Sequence, residues 1–170
     1  FIGNDSNRDF KFLKHLAINM PDRKFVVVTE QKEEELENIE NITLYKGSWN
    51  KGILEDSFLV NLYSKARITI IPLKNSLQPS GQSVALQSMS MMTPVIISKT
   101  DGFWDSEHFS HKKNIYFALE NTLEEWDSAI NDLEQNGLLY KHLTKNARSL
   151  IDTEFNCLAF GKKLFGIIRS

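Results

Sequence analysis

Two hydrophobic patterns alternate along the chain: short apolar runs, and longer stretches whose apolar positions recur every three or four residues. Short unbroken runs are typical of strands covered on both faces, and they fall at residues 24–29, 42–45, 68–72, 94–98 and 114–119. The helical spacing predicts helices at residues 9–20, 54–66, 82–92, 123–135, 138–152 and 157–168. Strands that alternate with helices predict a doubly wound parallel α/β sheet, because parallel neighbours need a helical crossover.

The first residues predict one further strand and the start of the first helix. Phe1-Ile2-Gly3 is typical of a buried strand that meets its turn, and the S-x-x-D form of residues 6–9 predicts a capping box. We therefore expect a Rossmann-like sheet of about six strands, with helices on both faces, in one domain over residues 1–170. A strand end at this position also indicates an excised domain whose other half is missing.

Two other segments carry expectations. The acidic run at residues 31–40 predicts a solvated loop or a short surface helix. Three methionines, Met89, Met91 and Met92, belong to the predicted helix at residues 82–92, and we expect their flexible side chains to fill gaps in the core.

Composition excludes several classes of protein. The 170 residues are 41% hydrophobic and 25% charged, as in ordinary globular domains, and a net charge of −2 gives no bulk attraction to nucleic acid or anionic lipid. The apolar runs are far shorter than the roughly 20 residues that cross a bilayer. The single Cys157 cannot form an internal disulfide and no secretory signal opens the chain, so we expect a cytoplasmic protein.

Two loops are candidates for a binding site, because ligands of such sheets lie at the carboxyl ends of the strands. The loop at residues 73–82 leads into a helix through small residues, which leaves the first backbone amides of that helix open to an anion. Gly81 allows close approach of a ligand, and Ser80 and Ser83 can add hydroxyl donors. In the loop at residues 3–8, Arg8 supplies a positive charge, and the two helix starts are predicted to clamp a diphosphate.

A plainer interpretation stays open at this stage. Neither the G-x-G-x-x-G nor the P-loop pattern is present, so Pro79 and Gly81 could form an ordinary turn and Arg8 could be a solvated surface residue. Tyr45 and Lys46 end a predicted strand on the same edge, where they could flank a nucleotide base or simply pack.

The stretch GQSVALQSMSMMTPVII at residues 81–97 resembles the pattern G-x-x-x-L-E-A-M-A-x-G-x-P-V-I of GT-B glycosyltransferases, and QPSGQS before it resembles a variant of their donor loop. The likeness continues through residues 3–8, 45–47, 62–66 and 68–72 and the terminal helix pair. The chain is therefore similar to the C-terminal, nucleotide-sugar-binding domain of the retaining family 4 (group 1) transferases.

The resemblance assigns roles to individual residues. The E-x7-E pair of the family falls on Pro79 and Gln87, so an amide replaces the carboxylate at the ribose contact and Pro79, Ser80 and Gly81 lie at the sugar. The basic pair of the first loop falls near Asn4 and Arg8. The implied diphosphate site consists of Gly3, Asn4, Arg8, Ser80, Gly81, Gln82 and Ser83, and the implied ribose or base contacts are Gln87, Tyr45 and Lys46. Met92 replaces a small family residue and is expected to pack.

The resemblance implies transfer of a hexose from a nucleoside diphosphate to an acceptor hydroxyl of a glycan or lipid-linked sugar, with retained configuration and without metal or cofactor. It further implies an N-terminal acceptor domain, a role in bacterial surface polysaccharide synthesis and a location in the cytoplasm or at the inner face of the membrane. The last helix is expected to be partly exposed where that domain would pack. Another GT-B enzyme, such as a nucleotide-sugar epimerase, and a degenerate non-catalytic binding module remain alternatives.

Overall fold

The computed structural model of the chain describes residues 1–31, 36–47 and 54–168. Its strands are β1 (Phe25–Thr29), β2 (Ile42–Lys46), β3 (Thr69–Ile71), β4 (Val95–Ser98) and β5 (Tyr116–Ala118). Its helices are α1 (Phe10–Asn19), α2 (Asp56–Lys65), α3 (Gln82–Ser90), α4 (Leu123–Gln135), α5 (Gly137–Thr153) and α6 (Cys157–Ile168). Each of these elements was predicted from the hydrophobic pattern, with ends that differ by at most two residues.

The three strand pairs of the described residues are parallel, as the alternation of strands and helices predicted. The described residues form two sheets, one of β1 and β2 and one in the order β3-β4-β5. The expectation of about six strands in one sheet is therefore wrong in number, since five strands occur in the described ranges. The remaining predicted strand, at Phe1–Gly3, forms a single parallel bridge between Ile2 and Val28.

Helices cover both faces of the strands, which confirms the α/β class. Val27 and Ile96 pack into one cluster with α1 and α4, whereas Val28 and Ile97 pack into another with α2, α3 and α5. Successive residues of a strand point to opposite faces, so a strand with helices on both sides must be apolar at every position. The apolar runs FVVVT and VIIS in the sequence result from this burial on both faces.

The first helix is capped by Asp9. One carboxylate oxygen of Asp9 accepts the N–H of Phe12 at 3.0 Å, and the helix begins at Phe10. The predicted capping box of residues 6–9 is wrong in detail, because Ser6 does not bond a helix amide. A cap must be the residue immediately before the first helical one, and only Asp9 occupies that place.

The acidic run lies partly outside the described residues, at 32–35. Its described part is not fully solvated, because Leu36 is almost completely buried and joins the cluster around α1.

The prediction of a helix at residues 54–66 is confirmed from Asp56 to Lys65.

The final helix stands apart from both clusters. None of the residues of α6 is buried, and Leu158, Phe160, Phe165 and Ile168 are all exposed. No helix of the described ranges is long and apolar enough to cross a membrane.

Met92 turns the chain between α3 and β4. Its backbone has a left-handed φ of 58°, and 52% of its surface is exposed. The expectation that Met92 packs in the core is therefore wrong, whereas Met89 is fully buried as expected. Because the chain must reverse sharply between α3 and β4, the backbone at this position decides the conformation and the side chain is left in solvent.

Met92→Gly should raise the free energy of unfolding by about 0.5–1 kcal/mol. A left-handed conformation costs a residue with a Cβ roughly 1–2 kcal/mol, and the greater freedom of glycine in the unfolded chain offsets part of the gain. The measurement is urea denaturation of the two proteins. Met91→Gly is the matched control, since Met91 has a φ of −92° and should lose stability on the same change. A loss of stability in both variants would contradict the assignment of strain to Met92.

Candidate functional site

The two candidate loops lie against each other at the carboxyl ends of the strands. The N–H of Lys74 donates to the carbonyl of Asn7 at 2.8 Å, and the N–H of Asp9 donates to the carbonyl of Pro72 at 3.0 Å. The Ser80 hydroxyl adds a bond to Asp5 at 2.8 Å. The start of α1 and the loop before α3 therefore form one continuous surface, as the parallel sheet predicted.

Arg8 is the buried cation of this surface. Only 3% of the residue is exposed, so the interpretation of Arg8 as a solvated surface residue is wrong. Its Nε forms an ion pair with the Asp5 carboxylate at 3.1 Å. Both Nε and Nη1 are buried, and neither has a hydrogen-bond partner of good geometry among the described residues. Burial lowers the pKa of Arg8, and the Asp5 carboxylate raises it again in part. An anion that reached Nη1 would fill an unused donor and compensate the buried charge.

Two glycines make room for this guanidinium. A Cβ on Gly3 would collide with the Arg8 Nε, so only glycine fits beneath the side chain. A Cβ on Gly81 would lie 3.1 Å from the Arg8 Nη1, and the φ of 85° at Gly81 is itself unfavourable for other residues. The backbone of Gly3 and that of Gly81 thus lie against the Arg8 guanidinium, and Nη1 lies beside the start of α3.

The start of α3 offers backbone donors. Gly81 is the N-cap and supplies no side-chain hydrogen bond, so the amides of the first turn, which include those of Gln82 and Ser83, have no capping partner. Gln82 is half-buried and Ser83 is exposed. Aligned peptide dipoles add about half a positive charge at this end of a helix. The cation of Arg8 and the helix dipole therefore act on the same place.

Asp5 is a residue of the site that the sequence analysis did not single out. Its carboxylate contacts both Arg8 and the Ser80 hydroxyl, and it is exposed to solvent on its other side. The spacing of Asp5 and Arg8, an acid three residues before a base, was the available signal. The Asp5 carboxylate therefore adds a negative charge beside Arg8 and Ser80.

Asn4 is bonded to the chain after β1. Its Oδ1 accepts the N–H of Glu30 at 2.7 Å, and its carbonyl accepts a bond from Gln31 Nε2 at 2.5 Å. These contacts give Asn4 a positioning role in the loop that carries Arg8.

Gln87 and Tyr63 form a second polar pair. The Tyr63 hydroxyl donates to Gln87 Oε1 at 3.1 Å, and burial raises the pKa of Tyr63, so that the phenol stays protonated. Gln87 lies exposed on α3, and Pro79 is exposed in the preceding loop. The Nε2 donors of Gln87 make no hydrogen bond within the described part of the chain and face solvent.

Tyr45 and Lys46 lie at the end of β2 and are both exposed. The Tyr45 ring packs edge-on against Phe58, with ring centroids 5.0 Å apart, and Lys46 forms an ion pair with Glu37. No hydrogen bond or ion pair of the described residues joins Tyr45 or Lys46 to Arg8 or Gln87. Within the described ranges, no group of three or more His, Cys, Asp or Glu side chains is placed to hold a metal ion.

Solved structures with the same fold come from several bacteria. The C-terminal domain of the glycosyl transferase group 1 family protein LpcC from Francisella tularensis superposes with a TM-score of 0.70 at 17% identity, over 92% of this chain and 85% of that one. Sucrose-phosphate synthase from Thermosynechococcus elongatus superposes with a TM-score of 0.77 at 18% identity, over 99% of this chain and 44% of the synthase. HepE from Anabaena, in complex with UDP, superposes with a TM-score of 0.72 at 14% identity, over 99% of this chain and 48% of HepE.

The chain thus spans less than half of the latter two proteins and most of the isolated C-terminal domain. No curated protein is detectably similar to it in sequence. The family model described as glycosyl transferases group 1 matches residues 9–150, which include α1, the loop before α3 and all five strands of the described ranges. Arg8 lies one residue before this match. The resemblance read from residues 81–97 is confirmed, and the chain belongs to the glycosyl transferases group 1 family, with the fold of a GT-B C-terminal domain.

Proposed function

We propose that this chain is the donor-binding domain of a retaining glycosyltransferase and holds the diphosphate of a nucleotide sugar between Arg8 and the start of α3. The observation that carries the proposal is the buried, unpartnered Nη1 of Arg8 beside the uncapped helix that begins after Gly81. A buried cation without full compensation favours an anionic ligand. The UDP and UDP-glucose complexes of HepE, which has the same fold, support the same class of ligand.

The diphosphate would lie between the two helix starts. Arg8 provides the formal charge, and the amides of residues 80–83 provide directed donors that need no reorganisation. Gly3 and Gly81 allow the close approach, while Asn4 keeps the first loop in place. As charge accumulates on the leaving diphosphate during sugar transfer, these groups stabilise it, which is why the proposed reaction is independent of metal and cofactor.

The rest of the donor would extend from this point along the strand ends. Gln87 is proposed to bond the ribose through its free amide donors, since Tyr63 already engages its oxygen. Tyr45 and Lys46 would flank the base, and Pro79, Ser80 and Gly81 would line the sugar. Because Pro79 and Gln87 are neutral, sugar and ribose selection would rest on hydrogen bonds and shape instead of on charge.

The acceptor side would come from a second domain. We propose an N-terminal domain that binds an acceptor glycan or lipid-linked sugar and completes a hexosyltransferase of bacterial surface polysaccharide synthesis, in the cytoplasm or at the inner face of the membrane. The exposed apolar residues of α6 and the greater length of sucrose-phosphate synthase and HepE support this organisation. The 170-residue chain alone is then expected to bind donor without turnover.

Arg8→Gln should weaken nucleoside diphosphate binding about 10- to 100-fold, because hydrogen bonds to charged groups contribute about 1.5–3 kcal/mol. Binding of the corresponding monophosphate should fall much less, since only the diphosphate spans both helix starts. The measurement is calorimetric titration, first with UDP, GDP, ADP and CDP to find the preferred base, and then with the diphosphate and monophosphate of that base.

Arg148→Gln is the matched control, because Arg148 is exposed and ion-paired with Asp152 on α5. It should leave both affinities unchanged. Equal losses of diphosphate and monophosphate in Arg8→Gln, at an unchanged melting temperature, would contradict the assigned contact.

Asp5→Asn should have the opposite effect and tighten diphosphate binding roughly threefold to tenfold. A like charge about 4 Å away contributes on the order of 1 kcal/mol even in water, and the substitution removes that repulsion. The melting temperature should fall, because Arg8 loses its ion-pair partner. Weaker binding with an unchanged melting temperature would instead mean that the Asp5 carboxylate contacts the donor directly.

The neutral residues at positions 79 and 87 favour one second candidate, a non-catalytic module that binds a nucleotide sugar without transferring it. Radiolabelled sugar transfer, measured on the protein that carries both domains, separates the two functions. Saturable donor binding without transfer to any acceptor would favour the module.

A further inference from the structure

The Asp5 carboxylate is held in one place by contacts from both candidate loops. Its Oδ1 accepts the N–H of Asn7 at 3.1 Å and the hydroxyl of Ser80 at 2.8 Å. Its Oδ2 forms the ion pair with Arg8. A polar group that the protein itself fixes in this way loses little freedom when a ligand binds to it.

The same carboxylate keeps acceptor capacity for a ligand. The Asp5 side chain is 45% exposed, and its Oδ2 accepts no hydrogen bond of good geometry in the described part of the chain. An ionised carboxyl group has about four acceptor sites and no donor. The Ser80 hydroxyl has already given its hydrogen to Asp5. Together these groups favour a ligand group that donates a hydrogen bond, such as a hydroxyl.

Asp5 borders the space where the sugar of a nucleotide sugar would lie. The sugar is joined to the diphosphate by a single bond, from its anomeric carbon to a phosphate oxygen. With the diphosphate at Arg8, the nucleoside would extend along α3 to Gln87, about 9 Å beyond Gly81 along the helix axis. The sugar would leave the diphosphate at the opposite end, towards the loop that carries Ser80, which Asp5 contacts.

We propose that Asp5 selects the sugar of the nucleotide donor. Its Oδ2 accepts a hydroxyl of a neutral sugar, and its negative charge disfavours a sugar that carries a carboxylate, such as a uronic acid. This inference rests on the proposed function, because it takes the diphosphate to lie between Arg8 and the start of α3.

The selection follows from repulsion as much as from attraction. Arg8 is proposed to hold the diphosphate, and the Lys74 Nζ donates to the Ser6 carbonyl at 3.1 Å, so the cations of this surface have other partners. A carboxylate on the sugar would approach Asp5 within a few ångströms, where two like charges repel appreciably even in water. A binding site that places such a charge beside its ligand rejects the wrong ligand at little cost to the right one.

The test compares two ligands that differ only in the charge of the sugar. They are the glucose and glucuronate conjugates of the nucleoside diphosphate that the titrations find to be preferred. Because both conjugates carry the same diphosphate, the effect of Asp5 on the diphosphate cancels in the ratio of their dissociation constants. The protein should bind the glucuronate conjugate at least about 10-fold more weakly than the glucose conjugate.

Asp5→Asn should reduce this ratio to less than about threefold, whereas Asp5→Glu should keep most of it because the charge remains. Asp5→Ala removes the acceptor and should weaken the glucose conjugate about fivefold relative to the free nucleoside diphosphate. Asp152→Asn is the matched control: it makes the same change in net charge at an exposed position on α5, where Asp152 pairs with Arg148, and should leave the ratio unchanged.

Equal binding of the two conjugates to the unmodified protein would overturn the proposal, and so would a ratio that survives in Asp5→Asn. If Asp5→Asn does not fold, the ratio is measured in the unmodified protein at rising salt. It should shrink, because Asp5 is partly exposed and its charge is screened, and a salt-independent ratio would overturn the proposal. Failure of every nucleoside diphosphate to bind would contradict the proposed function itself, whereas tight diphosphate binding with no discrimination contradicts only the role of Asp5.

Discussion

The burial of one arginine beneath two loops organises the candidate binding site of this domain. Arg8 can lie there only because Gly3 and Gly81 have no side chains, and its position in turn fixes the first loop against the loop before α3. A guanidinium out of water needs partners, and Asp5 satisfies it only in part. The candidate site is thus built around an incompletely compensated positive charge, so this surface is locally positive although the net charge of the chain is −2.

The same end of the molecule depends on the parallel sheet behind it. Parallel strands finish at one edge, so the loop at residues 3–8, which follows Ile2, and the loop after β3 come together, although the bonded residues Asp5 and Ser80 are 75 residues apart in sequence. Helices on both faces hold these strands rigidly, through one cluster around Trp126 and Leu13 and another around Met89 and Ile97. A site placed on such a scaffold keeps its donors aimed before a ligand arrives, which is the condition for electrostatic stabilisation of a leaving group.

Sequence reasoning succeeded where the signal was local or periodic. The strands and helices were predictable because two-sided burial leaves unbroken apolar runs and one-sided burial leaves helical spacing. It failed where the conformation or the contacts of a residue depend on segments outside its local pattern. Met92 has the side chain of a core residue, but the turn after α3 sets its backbone and leaves it in solvent. The role of Asp5 depends on Ser80, a residue far along the chain, and no local pattern contains that contact.

The amino-acid sequence by itself determined the α/β class, the order of the elements and the family, and it made the loop around Gly81 a candidate site. These follow from periodicity, from the stretch at residues 81–97 and from the small residues of a helix start. Only the tertiary structure decided that Arg8 is buried and that Asp5 shares its site. These features arise from contacts between segments distant in sequence, and burial and hydrogen-bond partners are properties of such contacts rather than of residue types.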